Sequence, residues 1–90
     1  MFLTTGSRYR MKANVIVTLK PTVLDPQGMT LHRNLGSLGF SGVDGVRQGK
    51  YFQVEVGDKI PEVDRSTLVN RLAGEVLTNP VIEEYRIVWE

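Results

Sequence analysis

Three short segments of this chain combine charged or amide side chains with glycine or proline, at points where predicted elements begin or end. They are Leu24-Asp25-Pro26-Gln27-Gly28, Val46-Arg47-Gln48-Gly49-Lys50 and Asn79-Pro80-Val81-Ile82-Glu83-Glu84-Tyr85. Each segment has a local structural reason: an aspartate followed by proline starts a helix, a glycine permits a sharp bend, and Asn-Pro ends a helix. The polar side chains that these segments carry are suited to hydrogen bonds and ion pairs with another molecule.

The polar side chains of the first two segments each have two interpretations. Asp25 can cap the helix that begins at Pro26, and this local role is a sufficient explanation for it. Gln27 has no evident local role, so we expect its amide to hydrogen-bond a partner's backbone. Arg47 and Lys50 could pair with acidic groups of a partner, or simply form a basic bend on the surface.

Catalysis by this chain alone is not predicted. The only histidine, His32, lies in a predicted helix with no neighbouring group to orient it, and there is no cysteine or serine elbow to supply a nucleophile. The segment from Gly45 to Lys50 does not match a phosphate-binding loop. It has three rather than four residues between its glycines, and Tyr51 follows the lysine.

Length and composition indicate one small domain. The chain has 90 residues, no cysteine and a formal net charge of +1, so neither a disulfide framework nor strong attraction to nucleic acid is expected. A core this small favours oligomerisation. We expect residues 1–11 to be a flexible N-terminal extension and residues 12–90 to form the domain. Lacking an apolar membrane segment or a secretory signal, the chain is expected to be cytoplasmic.

Hydrophobic periodicity predicts an α+β fold. Alternating apolar residues indicate strands at 12–20, 46–56 and 81–89, and helices are expected over 27–38 and 64–78. In the second helix, Leu68, Leu72 and Val76 are the expected inward stripe, with Val69 and Ala73 beside them. In the first helix, Gly36 is expected to permit close approach to a neighbour. Gly49 either bends one long strand, which we favour, or closes a hairpin of two strands.

These elements predict an antiparallel sheet of three to four strands with two helices on one face, in the order β-α-β-(β)-α-β. The other face of the sheet is then left uncovered. Ile16, Tyr51 and either Val88 or Trp89 are expected to face outward there. We therefore expect an apolar patch, and such a patch commonly marks an interaction surface.

The order and spacing of the three segments closely resemble the PurS family, the small subunit of phosphoribosylformylglycinamidine (FGAM) synthase. The resemblance runs from about Asn14 to Tyr85, with one departure at residues 29–34, where the family usually carries a segment richer in Ala and Val. It implies a PurS-like α+β fold and a non-catalytic subunit that bridges a large synthetase subunit and a glutaminase subunit. That enzyme makes FGAM in purine biosynthesis from ATP, glutamine and formylglycinamide ribonucleotide.

The resemblance also implies partners and cofactors. The chain would form a dimer or tetramer, support ammonia transfer and bind no cofactor itself, while ATP and magnesium would act on the large subunit. The candidate partner-interface residues are Asp25, Gln27, Arg47, Gln48, Lys50, Asn79 and Glu83.

Two other classes of protein have a similar topology. A regulatory module that binds a small molecule between protomers is the alternative, although the segment from Pro21 to Pro26 lacks the glycine typical of such a site. An RNA-binding sheet would need aromatic residues on one face of its central strands. Tyr51 and Phe52 point to opposite faces, so this function ranks last.

Overall fold

The computed structural model describes residues 11–90. A three-stranded antiparallel sheet has strands β1 (Met11–Leu19), β2 (Gly49–Val56) and β3 (Glu83–Trp89) in the order β2-β1-β3. Helix α1 spans Pro26–Ser37, and helix α2 spans Glu62–Leu72 and continues into a π-helical turn, Ala73–Leu77. The predicted α+β class and the order β-α-β-α-β are confirmed. Residues 1–10, most of the expected N-terminal extension, lie outside the described residues, and Met11 already belongs to β1.

Only one strand forms around Gly49. β2 begins at Gly49 and pairs with β1, whereas residues 43–48 form no regular element, so neither the long bent strand nor the hairpin is present. The cause is the close approach of the two strands. A Cβ atom at residue 49 would lie 2.5 Å from the carbonyl oxygen of Val17, so pairing can begin here only because this residue is glycine.

The core is formed by alternating residues of β1 together with α2. Ala13, Val15 and Val17 are fully buried, as β1 is the central strand and turns these side chains toward the helix. Val56 at the end of β2, with Val69 and Ala73 from α2 and its π-helical turn, completes the buried cluster. Among residues 11–90, no helix is both long enough and apolar enough to cross a membrane.

The predicted inward stripe of α2 is wrong at Leu68 and Val76, whereas Leu72 is half-buried and the residues predicted beside the stripe, Val69 and Ala73, are buried. Leu68 is 44% exposed and Val76 is 70% exposed, whereas Val69 is fully buried. Val69, rather than its neighbour Leu68, faces the sheet. Beyond Leu72, the wider π-helical turn changes the rotation of the residues that follow.

The uncovered face of the sheet is mainly polar, and the expected apolar residues lie among its polar side chains. Ile16, Tyr51 and Val88 do lie on this face, but Trp89 lies on the helix side. A hydrogen-bonded network occupies much of the face. The Asn14 amide donates to Glu90 Oε2 at 2.8 Å and accepts from the Tyr51 hydroxyl at 2.6 Å, and the Gln53 amide also donates to Glu90 Oε2 at 3.1 Å.

Exposed apolar side chains are also found on and next to α1. Gly28 is its only buried residue, Leu31 is 48% exposed and Leu38, just after the helix, is 71% exposed. The expected neighbour of Gly36 is absent, because no atom of residues 11–90 outside the helix lies within 4 Å of the position of its Cβ. α1 therefore contributes no fully buried apolar side chain to the core, and Leu31 and the adjacent Leu38 remain available for contacts with another molecule.

Candidate partner-binding corner

The three polar segments meet at one corner of the molecule, where β1 ends and α1, β2 and β3 begin. The register pairs Thr18 with Gly49 and Leu19 with Glu83, which brings the first residues of both outer strands together. This corner contains all seven predicted interface residues: Asp25 and Gln27 at the start of α1, Arg47, Gln48 and Lys50 at the start of β2, and Asn79 and Glu83 at the start of β3.

Asp25 joins α1 to the residues that precede β2. Its Oδ1 accepts a hydrogen bond from the Gly28 N–H at 2.9 Å, and its Oδ2 accepts one from the Gln48 N–H, also at 2.9 Å. The side chain is buried, and these bonds, that from Gln48 first, hold the pKa of the carboxyl below its ordinary value. The predicted capping role is confirmed. The bond to Gln48, 23 residues away, has no signal in the sequence.

Gly28 permits this junction to form. A side chain at residue 28 would overlap the carbonyl oxygen of Val46, and its Cβ would lie 2.8 Å from Asp25 Oδ2. The first turn of α1 therefore packs directly against the backbone that leads into β2.

Arg47 stabilises the turn after β1. One nitrogen of its guanidinium, Nη2, donates to the carbonyl oxygens of Leu19, Lys20 and Val23 at 3.3, 3.2 and 3.4 Å. A partner's acidic group would have to share this side chain with three main-chain acceptors.

Lys50, Glu83 and Asn79 form a connected group across the starts of β2 and β3. Lys50 Nζ lies 3.2 Å from Glu83 Oε2, and Glu83 Oε1 accepts from the Asn79 N–H at 2.7 Å. The Asn79 side chain in turn accepts from the Val81 N–H at 3.1 Å, which defines the turn that leads into β3. The Asn79 N–H, and then Lys50, keep the pKa of the Glu83 carboxyl below its ordinary value.

Gln27 and Gln48 differ from the other five residues. Both are exposed, and neither amide side chain hydrogen-bonds any of residues 11–90. Both line a groove of about 500 Å³, together with Val17, Leu19, Asp25, Pro26, Gly49, Lys50 and Glu83. A second hollow of about 380 Å³ shares Gln27 and Gln48 with the first and extends along α1 to Leu31.

The free polar groups of this arrangement are amides, which are suited to hydrogen bonds with another molecule. The ring of His32, in the middle of α1, lies 2.6 Å from the carbonyl oxygen of Val43, and no carboxylate of residues 11–90 hydrogen-bonds it. Within residues 11–90, no three potential ligands of a metal ion cluster together. The charged groups of the corner mostly bond to one another and to the backbone, so its geometry presents amides and apolar surface to a partner.

Fold and corner together define the class of the protein: it is a small α+β protein with an open sheet, whose three polar segments meet at one corner. Comparison with known proteins identifies the family within this class. The family model that matches, over residues 12–90, is PurS, described as phosphoribosylformylglycinamidine (FGAM) synthase. The chain belongs to the PurS family.

Relatives agree with this assignment in sequence and in structure. The chain is 43% identical, over 79 residues, to the phosphoribosylformylglycinamidine synthase subunit PurS of Mycobacterium leprae; the match covers 88% of this chain and 95% of the relative. The structure of Bacillus subtilis PurS superposes with a TM-score of 0.78 at 38% identity, covering 89% of this chain and 98% of that one. The structure of PurLQS from Thermotoga maritima gives a TM-score of 0.81 at 30% identity, covering 90% and 98%.

Proposed function

We propose that this chain is the non-catalytic small subunit of a cytoplasmic FGAM synthase of purine biosynthesis. It joins a large synthetase subunit to a glutaminase subunit and supports the passage of ammonia between them. ATP and magnesium act on the large subunit, and this chain binds no cofactor. The observation that carries the proposal is the likeness, over nine-tenths of the chain, to a chain of the Thermotoga maritima PurLQS structure.

The chemistry of the corner supports a joining role. Asp25 and Glu83, the two carboxylates, accept hydrogen bonds from main-chain N–H groups that fix the starts of α1 and β3. Carboxylates held in this way remain charged at neutral pH, so neither is suited to general acid–base catalysis near pH 7. The parts of the corner that are available to another molecule are therefore the groove and the amide side chains of Gln27 and Gln48.

Self-association is the second part of the proposal. Leu31 and Leu38 place exposed apolar surface along α1, and Phe40 adds to it at 60% exposed. Covering these side chains removes apolar surface from water, which favours association. We assign this surface to a second copy of the chain, giving the dimer from which a tetramer can be built.

Bridging is tested by particle mass. The large and glutaminase subunits, mixed with and without this chain, are separated by size-exclusion chromatography with light scattering. The proposal expects one particle containing all three only when the chain is present. If the two large proteins associate equally well without it, the bridging role is wrong.

Self-association is tested with the chain alone. Replacing Leu31 and Leu38 by serine is expected to shift the particle toward the monomer. Val63→Ser is the matched control, because Val63 is 83% exposed on α2, away from this surface. A wild-type chain that is monomeric at every concentration would refute this part.

A further inference from the structure

The corner has two kinds of polar residue, and only one kind is available to a partner. Asp25, Arg47, Lys50, Asn79 and Glu83 are each engaged within the chain. The carboxamides of Gln27 and Gln48 have no hydrogen-bond partner among residues 11–90, and both line the groove of about 500 Å³. The groove therefore presents two neutral groups, each carrying both a donor and an acceptor.

The charges around the groove indicate which ligand it does not fit. Lys50 is paired with Glu83, and both oxygens of Asp25 accept main-chain N–H groups. No cation of the groove lining is left unpaired for a phosphate or a carboxylate, and no carboxylate is left unpaired for an ammonium group. A nucleotide or an amino-acid zwitterion would thus meet no free opposite charge here.

The shape and lining indicate which ligand it does fit. The groove continues past Gln27 and Gln48 into the second hollow, which ends at Leu31, at the edge of the surface assigned above to a second copy. Its length is lined by apolar groups, among them Leu19 and Pro26, with the two carboxamides between its ends. A carboxamide matches the N–H and C=O of a peptide group, and the apolar lining suits a small uncharged side chain.

We propose that this groove binds an extended segment of another protein subunit. The carboxamides of Gln27 and Gln48 hydrogen-bond its main chain, and an uncharged side chain packs between Leu19 and Pro26. This inference rests on the proposed function and deepens it, because it states how the corner recognises one of the two partner subunits. A peptide bound through its main chain is read by shape and hydrogen bonding rather than by charge, so its binding is nearly independent of salt.

The test is the affinity of the wild-type chain and the Gln27→Ala/Gln48→Ala variant for the purified large subunit and, separately, the purified glutaminase subunit. Loss of two neutral hydrogen bonds is expected to raise the Kd for one of these subunits about tenfold or more. The wild-type Kd for that subunit is expected to change less than about threefold between low and physiological salt. Asn34→Ala is the matched control: it removes an exposed amide from the same helix, outside the groove.

Each other outcome has a distinct meaning. Unchanged affinity of the double variant for both subunits overturns the groove assignment and leaves the proposed function standing, whereas a wild-type chain that binds neither subunit overturns both. A double variant that loses only its self-association shows that a second copy occupies the groove. If free glutamine or ATP raises the Tm of the wild type but not that of the double variant, the groove binds a small molecule. Occupation of the groove by a second copy or by a small molecule overturns the proposal.

Discussion

The junction between α1 and β2 can be tested with one substitution made at two positions of the same helix. Gly28→Ala places a methyl group against the Val46 carbonyl oxygen and 2.8 Å from Asp25 Oδ2. Gly36→Ala, eight residues further on, places the same methyl group where nothing outside the helix lies within 4 Å. The two variants have the same composition and differ only in what the methyl group meets.

The expected magnitudes have opposite signs. Alanine is favoured over glycine inside a helix by about 1 kcal/mol, so Gly36→Ala should stabilise the chain by roughly that amount. At residue 28 the methyl group meets a main-chain carbonyl that cannot rotate away, and overpacking of this kind costs about 1–3 kcal/mol. After the helix gain is subtracted, Gly28→Ala should destabilise by up to about 2 kcal/mol, which corresponds to a Tm lower by at most roughly 8–16 °C.

The assay is urea unfolding followed by circular dichroism, with thermal unfolding alongside. All variants are compared at one protein concentration, because self-association adds to apparent stability. We expect the m-values of both variants to equal that of the wild type. The urea midpoint should be higher for Gly36→Ala and lower for Gly28→Ala. Equal stabilisation by both substitutions would show that Gly28 does not pack against the residues before β2, and would refute this account of the corner.

Three further predictions concern the core and the charged residues. Val69→Ala should lower the free energy of unfolding in urea by about 2–3 kcal/mol, because it leaves a cavity in the core. Leu68→Ala should lower it by less than about 1 kcal/mol. The reverse order would show that Leu68, as predicted from the sequence, faces inward. Folding lowers the pKa of Asp25, so the stability that its carboxylate contributes is complete above the unfolded pKa of about 4 and is lost as pH falls through the folded pKa. Asp25→Asn should therefore flatten the acid side of the curve of stability against pH. A curve parallel to that of the wild type would contradict this. Lys50→Glu should lower Tm, because it places a like charge beside Glu83. The charge swap Lys50→Glu/Glu83→Lys should recover part of the lost Tm. If it recovers none, loss of the ion pair does not explain the lower Tm.

Local patterns in the sequence predicted most of the elements. The alternation of Ala13, Val15 and Val17 is a period of two residues, and it predicted the central strand and its buried side. Asp25 followed by Pro26 predicted the start of α1 to the residue. In both cases the determining contacts lie within a few residues of one another.

Features that depend on long-range contacts were not predictable. Gly49 begins β2 because of the Val17 carbonyl, which comes from another strand, so local turn statistics could not decide between a bend and a hairpin. The inward side of α2 was misassigned because Leu68 and Val69 are both apolar, and only the sheet determines which of them is buried. The π-helical turn at Ala73–Leu77, which turns Val76 outward, likewise has no local signature.

The candidate site, like the fold, was predicted only in part. The seven residues named from the sequence lie at one corner, but the sequence could not separate those that build the corner from those whose side chains hydrogen-bond none of residues 11–90. Arg47 and Lys50, for which pairing with a partner's acidic groups was one of two interpretations, are engaged with three main-chain carbonyls and with Glu83. Replacing both by glutamate would therefore disturb the corner itself, so that substitution cannot serve as a clean test of partner binding.

The most direct test of the central claim, that this chain acts by assembly rather than by catalysis, is a titration. The large and glutaminase subunits are held at fixed concentration with ATP, magnesium, formylglycinamide ribonucleotide and glutamine, and the rate of glutamine-dependent FGAM formation is measured as this chain is added. We expect the rate to rise in proportion to the added chain and to stop rising at a fixed stoichiometric ratio. A rate that does not depend on the chain, or that is fully restored by trace amounts of it, would contradict the claim.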